Sequence, residues 1–168
     1  AAMNPCPCGY FGHPDRVCID SPGQIQRYQG RISGPLFDRF DLVVPVHPVP
    51  PKVLADSPPG ESSAQIRDRI ARARSRAKGR LAGTPWLVNG QVPARDDLAD
   101  RLFGMVPEAT KLLTDMATRR GWSPRVQHRV RRIAGTLRDL DPKGADGALI
   151  EVRHLAAASQ LRVLPELG

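Results

Sequence analysis

Past residue 60 the apolar positions recur at helical spacing, whereas before it they come in short, broken runs. Ile66, Ile70, Ala73, Ala77 and Leu81 repeat every three to four residues, and Ser62-Ser63-Ala64-Gln65 fits a capping box, so one long amphipathic helix is predicted up to about Leu81. Residues 83 to 95, with Gly83, Pro85, Asn89-Gly90 and Pro93, read as a loop with a short hairpin at Asn89-Gly90. A short helix near Asp96 to Phe103 follows, then a helix over Pro107 to Arg120 with Leu112, Leu113, Met116 and Ala117 inward and Gly121 as its stop. Ser123 and Pro124 suit the cap and first position of the next helix, which repeats Val126, Val130, Ile133, Leu137 and Leu140. A last helix, from about Gly147 to Arg162, carries Ile150, Leu155, Ala158 and Leu161. There is no internal repeat.

The first sixty residues hold eleven of the seventeen prolines. Ser21 and Pro22 predict the cap and first residue of a short helix over Gln24 to Arg31. Leu42 to Val46 is apolar and β-branched and predicts one buried strand at a sheet end or edge, and Ala1 to Met3 reads as a strand end that presents Asn4. From Pro45 to Gly60 the density of proline excludes both helix and central strand, because each proline lacks an N–H and restrains its predecessor. The organisation predicted is a first domain over 1–47 with a Cys-rich loop, a Pro-rich linker over 48–60, and a helical domain over 61–168. The fold class is α/β followed by all-α.

Charge changes this picture only in part. The chain has 168 residues and a net charge of +8 carried mainly by arginine, which favours planar oxyanions such as phosphates and carboxylates. Aromatics at 5% are sparse for a base-stacking surface. Fourteen of the twenty-five cations lie in Arg67 to Arg80 and Arg119 to Arg138. The first group, with Asp68 as its one acid, reads as a solvated or subunit-facing surface in preference to a nucleic-acid contact. Arg125 taken by itself also reads as one more surface arginine on a helix that carries Arg129, Arg131, Arg132 and Arg138. No apolar run is long enough to span a membrane and the start carries no secretory signal, so no membrane partner is expected and the chain reads as cytoplasmic. It opens on Ala1-Ala2-Met3, which reads as a cut from a longer protein.

Three places carry candidate chemistry. Cys6-Pro7-Cys8-Gly9 and Cys18-Ile19-Asp20 are two ligand-like pairs flanking a turn rich in Gly and Pro. Three cysteines cannot pair completely, and closely spaced thiolates suit Zn²⁺, which takes four N, S or O donors. Asp20 and His13 are both candidates for the fourth ligand, and plain free thiols are the competing reading. Gly34 to Leu42 sets Arg39 between Asp38 and Asp41 ahead of the apolar run, a pattern that ordinary local ion pairs also explain. Arg125 falls in the first turn of the helix capped by Ser123, where unsatisfied N–H groups already favour an anion.

Taken in this order, Ala2-Met3-Asn4-Pro5-Cys6-Pro7-Cys8-Gly9-Tyr10, Ser21-Pro22, Gln26-Arg27-Tyr28, Ser33-Gly34-Pro35-Leu36, Asp38-Arg39, Asp41-Leu42 and Ser123 to Arg129 resemble the C-terminal part of the magnesium-chelatase-like AAA+ ATPases of the bacterial ComM (YifB) family. The likeness spans nearly the whole chain, is most specific over 1–46 and weakens through 83–106. It implies the end of an AAA+ P-loop ATPase core followed by a mainly α-helical lid. It further implies ATP and Mg²⁺ as cofactors, held mainly by parts not in this sequence, and a homo-hexameric ring acting on DNA during natural transformation. In that likeness Asn4 matches the sensor-1 position near the γ-phosphate, Arg39 the arginine finger that also occurs in the related MCM helicases, and Arg125 sensor 2 on the lid.

Two departures stand out. The family pattern has a second Cys-x-Cys where this chain has Cys18-Ile19-Asp20. No Gly-x-x-x-x-Gly-Lys-Ser/Thr occurs among the 168 residues, so the chain alone is not expected to hydrolyse ATP. The competing readings are a non-catalytic basic zinc-loop module that binds nucleic acid, and a porphyrin magnesium-chelatase motor subunit.

Overall fold

The computed structural model describes residues 1–33, 36, 39–143 and 147–161. The predicted residue Asp38 and the predicted helix end at Arg162 lie outside them. The chain divides into two units, one built on Ala1–Pro58 and the other on Pro59–Val163.

In the first unit α1 (Pro22–Gln29) starts as the sequence predicts. The Ser21 side chain accepts the Gln24 N–H, the Gln24 side chain accepts the Ser21 N–H, and Pro22 takes the first position, where a missing N–H costs nothing. Ile25 is its buried residue. Two expectations fail here. Residues 42–46 form no strand, and Leu42, Val44 and Val46 are exposed, Val46 by 91%. Ala1 to Asn4 likewise lie outside regular structure. A strand needs a neighbour to take its N–H and C=O groups, and the described residues contain no strand to pair with. The described residues therefore do not show the α/β half of the expected fold, and the chain is mainly helical. The proline-rich stretch also departs from expectation, because Pro51–Asp56 is a short helix, α2. Its prolines fall at the cap and first position, so none removes an internal hydrogen bond.

The second unit is a helical bundle. The helix α3 (Ser63–Leu81) opens with the predicted Ser62–Gln65 capping box and buries Ala73, Ala77 and Leu81. Beyond it the predicted hairpin is instead a single 3-10 turn, Asn89–Gln91, with Asn89 buried. Then come α4 (Asp96–Leu102), α5 (Pro107–Arg120), α6 (Pro124–Leu140) and α7 (Val152–Gln160). Gly121 ends α5 in the left-handed region at φ 61°, which glycine adopts without strain. The last helix starts later than predicted, because Ile150 instead forms a parallel bridge with Met105, its N–H donating to Gly104 O at 2.8 Å.

The core lies around α6. Val130 and Ala134 pack with Leu81, Val92, Leu102, Phe103, Ala109, Leu113, Ile150, Leu155 and Ala158. Each large side chain here contributes about 1.5 to 3 kcal/mol by leaving water. Leu112 packs against this cluster from its edge, while Met116 and Ala117 are half-buried. Gly135 lets the Phe103 ring reach the α6 backbone, since a Cβ there would stand 2.6 Å from Phe103 Cδ1.

Candidate functional site

In the first unit the backbone of Cys6–Gly9 turns on itself, with Gly9 N–H donating to Cys6 O at 3.1 Å and Gly9 at φ 84°. This brings Cys6 and Cys8 to one side, and the chain returns to set Cys18 and Asp20 against them. The three sulfurs stand 3.4, 3.6 and 3.7 Å apart, and Cys18 Sγ is 3.8 Å from Asp20 Oδ2. The four donor atoms all lie within 4.8 Å of one another. A tetrahedral ion with bonds of about 2.3 Å holds its sulfur ligands about 3.8 Å apart, so the donor set fits Zn²⁺ in both type and spacing.

The surroundings support the donors. Asp20 Oδ2 accepts the Cys8 N–H at 2.9 Å, and the Phe11 N–H donates to Cys6 Sγ at 3.3 Å. The Cys8 N–H, followed by the neighbouring thiols, holds the Asp20 carboxyl below its ordinary value. Loss of hydration, followed by the neighbouring Cys8 and Cys6 sulfurs, pushes the Cys18 thiol up to about 11. His13 is directed elsewhere. Its Nδ1 accepts the Asp15 N–H at 3.0 Å and its ring meets Tyr10 edge-on at 5.8 Å between centroids. Of the two candidates for a fourth ligand, Asp20 is the one that joins the three cysteines.

Asn4, Arg39 and Arg125, which the resemblance sets at phosphate-facing positions, are all exposed. Asn4 lies beside the Cys turn, its Nδ2 3.8 Å from the position a Gly9 Cβ would take. Gln29 Nε2 ties the adjacent segment to α1 by donating to Pro5 O at 2.8 Å. Arg39 is in a turn, its N–H donating to Leu36 O at 3.0 Å. Arg125 is the second residue of α6 in the other unit, where Ser123 Oγ accepts the Val126 N–H at 3.4 Å.

What the sequence reading missed is a polar network inside the bundle. Arg80 grips Asp139 with two parallel bonds, each 2.7 Å, and its Nη2 also donates to Asn89 Oδ1 at 2.8 Å. Asn89 Nδ2 returns to Asp139 Oδ2 and to Thr136 Oγ1, both at 3.0 Å. Arg138 adds a bond to Asp139 Oδ1 at 3.2 Å, and Arg76 Nη1 donates to the carbonyls of Asp139 and Asp141 at the end of α6. Arg131 reaches Phe103 O and Asp100, and Arg132 reaches the carbonyls of Gly90 and Val92. The expected solvated faces are thus divided, since these arginines hold the bundle together. The one sequence signal was position: Arg76 and Arg80 stand three and seven residues after Ala73, beside its buried stripe.

Below this network, Asp141 Oδ2 lies 3.0 Å from His154 Nε2, and His154 Nδ1 accepts the Glu151 N–H at 3.1 Å. With Nδ1 as acceptor, the ring proton sits on Nε2 and is donated to Asp141. No described helix is long and apolar enough to cross a membrane.

Comparison with known proteins places these features in order. Residues 1–54 match the magnesium chelatase subunit ChlI family, and residues 60–162 match the C-terminal region of the same subunit. YifB of Escherichia coli is 31% identical over 169 residues, and the competence protein ComM of Haemophilus influenzae is 34% identical over 170 residues. Each alignment covers 99% of this chain and 31% of the relative. An uncharacterized protein of Mycobacterium tuberculosis is 32% identical over 164 residues, which is 96% of this chain and 30% of that protein. The chain therefore spans about a third of the length of these relatives. Its two matched regions, and the alignment of 99% of this chain with a third of each relative, show that this chain belongs to the magnesium-chelatase family, in the ComM/YifB group.

Proposed function

We propose that this chain is the sensor and lid portion of an ATP-driven AAA+ motor that works as a homo-hexameric ring on DNA. In this reading the P-loop lies elsewhere in the complete protein and holds ATP and Mg²⁺. Asn4 orients the attacking water or touches the γ-phosphate, Arg125 follows the same phosphate from the lid, and Arg39 enters the neighbouring subunit's site. Phosphoryl transfer needs positioning and neutralisation of charge on the equatorial oxygens, and these three side chains supply polar or cationic groups suited to both.

The observation that carries the reading is a contrast among the arginines. Arg76, Arg80, Arg131, Arg132 and Arg138 donate to protein acceptors, whereas Arg39 and Arg125, which the resemblance sets at phosphate-facing positions, are among the exposed arginines. The name of the Haemophilus relative, a competence protein, supports DNA over porphyrin as the substrate.

The test is complementation in mixed rings of the complete protein. Subunits carrying Arg39→Ala with an intact P-loop are mixed with subunits that lack the P-loop lysine but keep Arg39. Recovery of ATP turnover on mixing, with little in either alone, is expected of a group acting in trans. No recovery, despite assembled rings, overturns that role.

We further propose that Cys6, Cys8, Cys18 and Asp20 hold a structural Zn²⁺ that stiffens the loop next to Asn4. Zinc would supply charge to hold the thiolates together and no chemistry of its own. The chain should carry about one zinc per molecule. Cys8→Ser should lose it and Asp20→Ala should surrender it to weaker chelators, while His13→Ala should retain it. Metal analysis after dialysis against graded chelators reads each outcome. Zinc loss from His13→Ala as readily as from Asp20→Ala would remove the assignment of the fourth ligand.

A further inference from the structure

A cavity of about 310 Å³ opens among Ser75, Arg76, Arg80, Arg138, Asp139 and Gly147, on the polar side of the network between α3 and α6. Among the described residues, three guanidinium groups line it against one carboxylate. Arg80 and Arg138 share Asp139, while among the described residues Arg76 is held by backbone carbonyls alone. The Asp141 carboxylate does not balance the account, because its Oδ1 accepts the Lys143 N–H and its Oδ2 serves Arg153 and His154. Arg80 Nε is buried and has no acceptor among the described residues. A buried donor without an acceptor is destabilising, and the structure retains it beside a surplus of positive charge among the described residues.

We propose that this cavity binds a phosphate-sized oxyanion, gripped by Arg76, Arg80 and Arg138. A tetrahedral dianion offers several acceptors to guanidinium groups and neutralises the excess cation, and charge-assisted bonds of this kind are about twice as strong as neutral ones. Arg138 donates to Ala148 O at 2.9 Å as well as to Asp139. Loss of hydration, and then repulsion from Arg80, hold its guanidinium below its ordinary value against the opposing pull of Asp139. The site is separate from Arg125, which begins the helix that Arg138 nearly ends.

The test uses the 168-residue chain, which has no P-loop to compete for phosphate. Inorganic phosphate is titrated calorimetrically against chloride at matched ionic strength. Saturable binding is expected, weakened about tenfold or more by Arg76→Gln and less than about twofold by Arg67→Gln, an equal charge loss on the same helix away from the cavity. Because Arg76→Gln also removes bonds to α6, Ser75→Glu provides a second arm. A carboxylate placed in the cavity should raise the unfolding midpoint in phosphate-free buffer and abolish the phosphate response, whereas Ser75→Gln should do neither. Adenosine monophosphate separates the sources of the ligand: tighter binding than inorganic phosphate indicates an ester in the remaining volume, and weaker binding indicates the free ion. No binding above chloride overturns the proposal, as does equal weakening by Arg67→Gln, which would indicate diffuse charge.

Discussion

In the proposed AAA+ motor, Arg39→Ala in the complete protein should lower kcat by about three orders of magnitude while leaving ATP affinity within a few fold. The asymmetry follows from when the side chain acts. A finger contributes most as charge spreads over the transferring phosphoryl group, so its removal raises the barrier and hardly disturbs the bound ground state. Arg39→Lys should recover little of the loss, because an ammonium lacks the planar fork that spans two oxygens. Steady-state turnover together with binding of a non-hydrolysable nucleotide separates the two quantities. Normal turnover in assembled rings would sink the assignment, and a parallel loss of affinity would recast Arg39 as a ground-state binding residue.

Asp139→Ala should destabilise the helical unit by about 3 to 5 kcal/mol, a fall of more than about 10 °C in unfolding midpoint. Asp139 is 3% exposed and is the shared acceptor of Arg80, Arg138 and Asn89. Removing it leaves two guanidinium groups mostly out of water with no carboxylate, and the penalty comes from those stranded charges more than from the lost pair. Asp139→Asn retains the size and one acceptor, so its loss should be smaller. Glu61→Ala serves as the contrast. It breaks an ion pair with Arg69 in which both side chains are 41% exposed, and it should cost less than about 1 kcal/mol. Thermal or urea unfolding of the chain followed by circular dichroism measures all three. Equal small effects at Asp139 and Glu61 would mean that the network adds little to stability.

Most of the helical unit was legible because helix signals are local. Ser62 with Gln65, Ser123 with Pro124, and Gly121 each satisfy or end a backbone within a few residues of themselves, and the observed α3, α5 and α6 begin or stop at them. The signals that misled are those whose meaning depends on a partner. Leu42 to Val46 has the composition of a buried strand, yet composition cannot supply a neighbouring strand. Asn89-Gly90 suits a tight hairpin turn, but the Asn89 side chain finds Arg80, Thr136 and Asp139 inside the bundle, and those bonds draw the segment into a 3-10 turn.

The candidate metal centre divides in the same way. Its three cysteines stand close in the sequence, so their convergence followed from spacing. The choice between His13 and Asp20 depended on how the chain returns after the turn. That path directs the His13 ring to Tyr10 and places Asp20 on the Cys8 N–H.

By itself the sequence determined where helices start and stop, which cysteines can share an ion and which family the motifs match, because each of these rests on groups near one another along the chain. Tertiary structure decided which arginines are tied to protein acceptors. Arg67 and Arg80 look alike to any local rule, yet the first faces water and the second lies against Asp139, fifty-nine residues away. A charged side chain has no intrinsic preference that separates those fates. Its hydration can be replaced only by specific acceptors, and whether they are present is settled when α3 packs on α6.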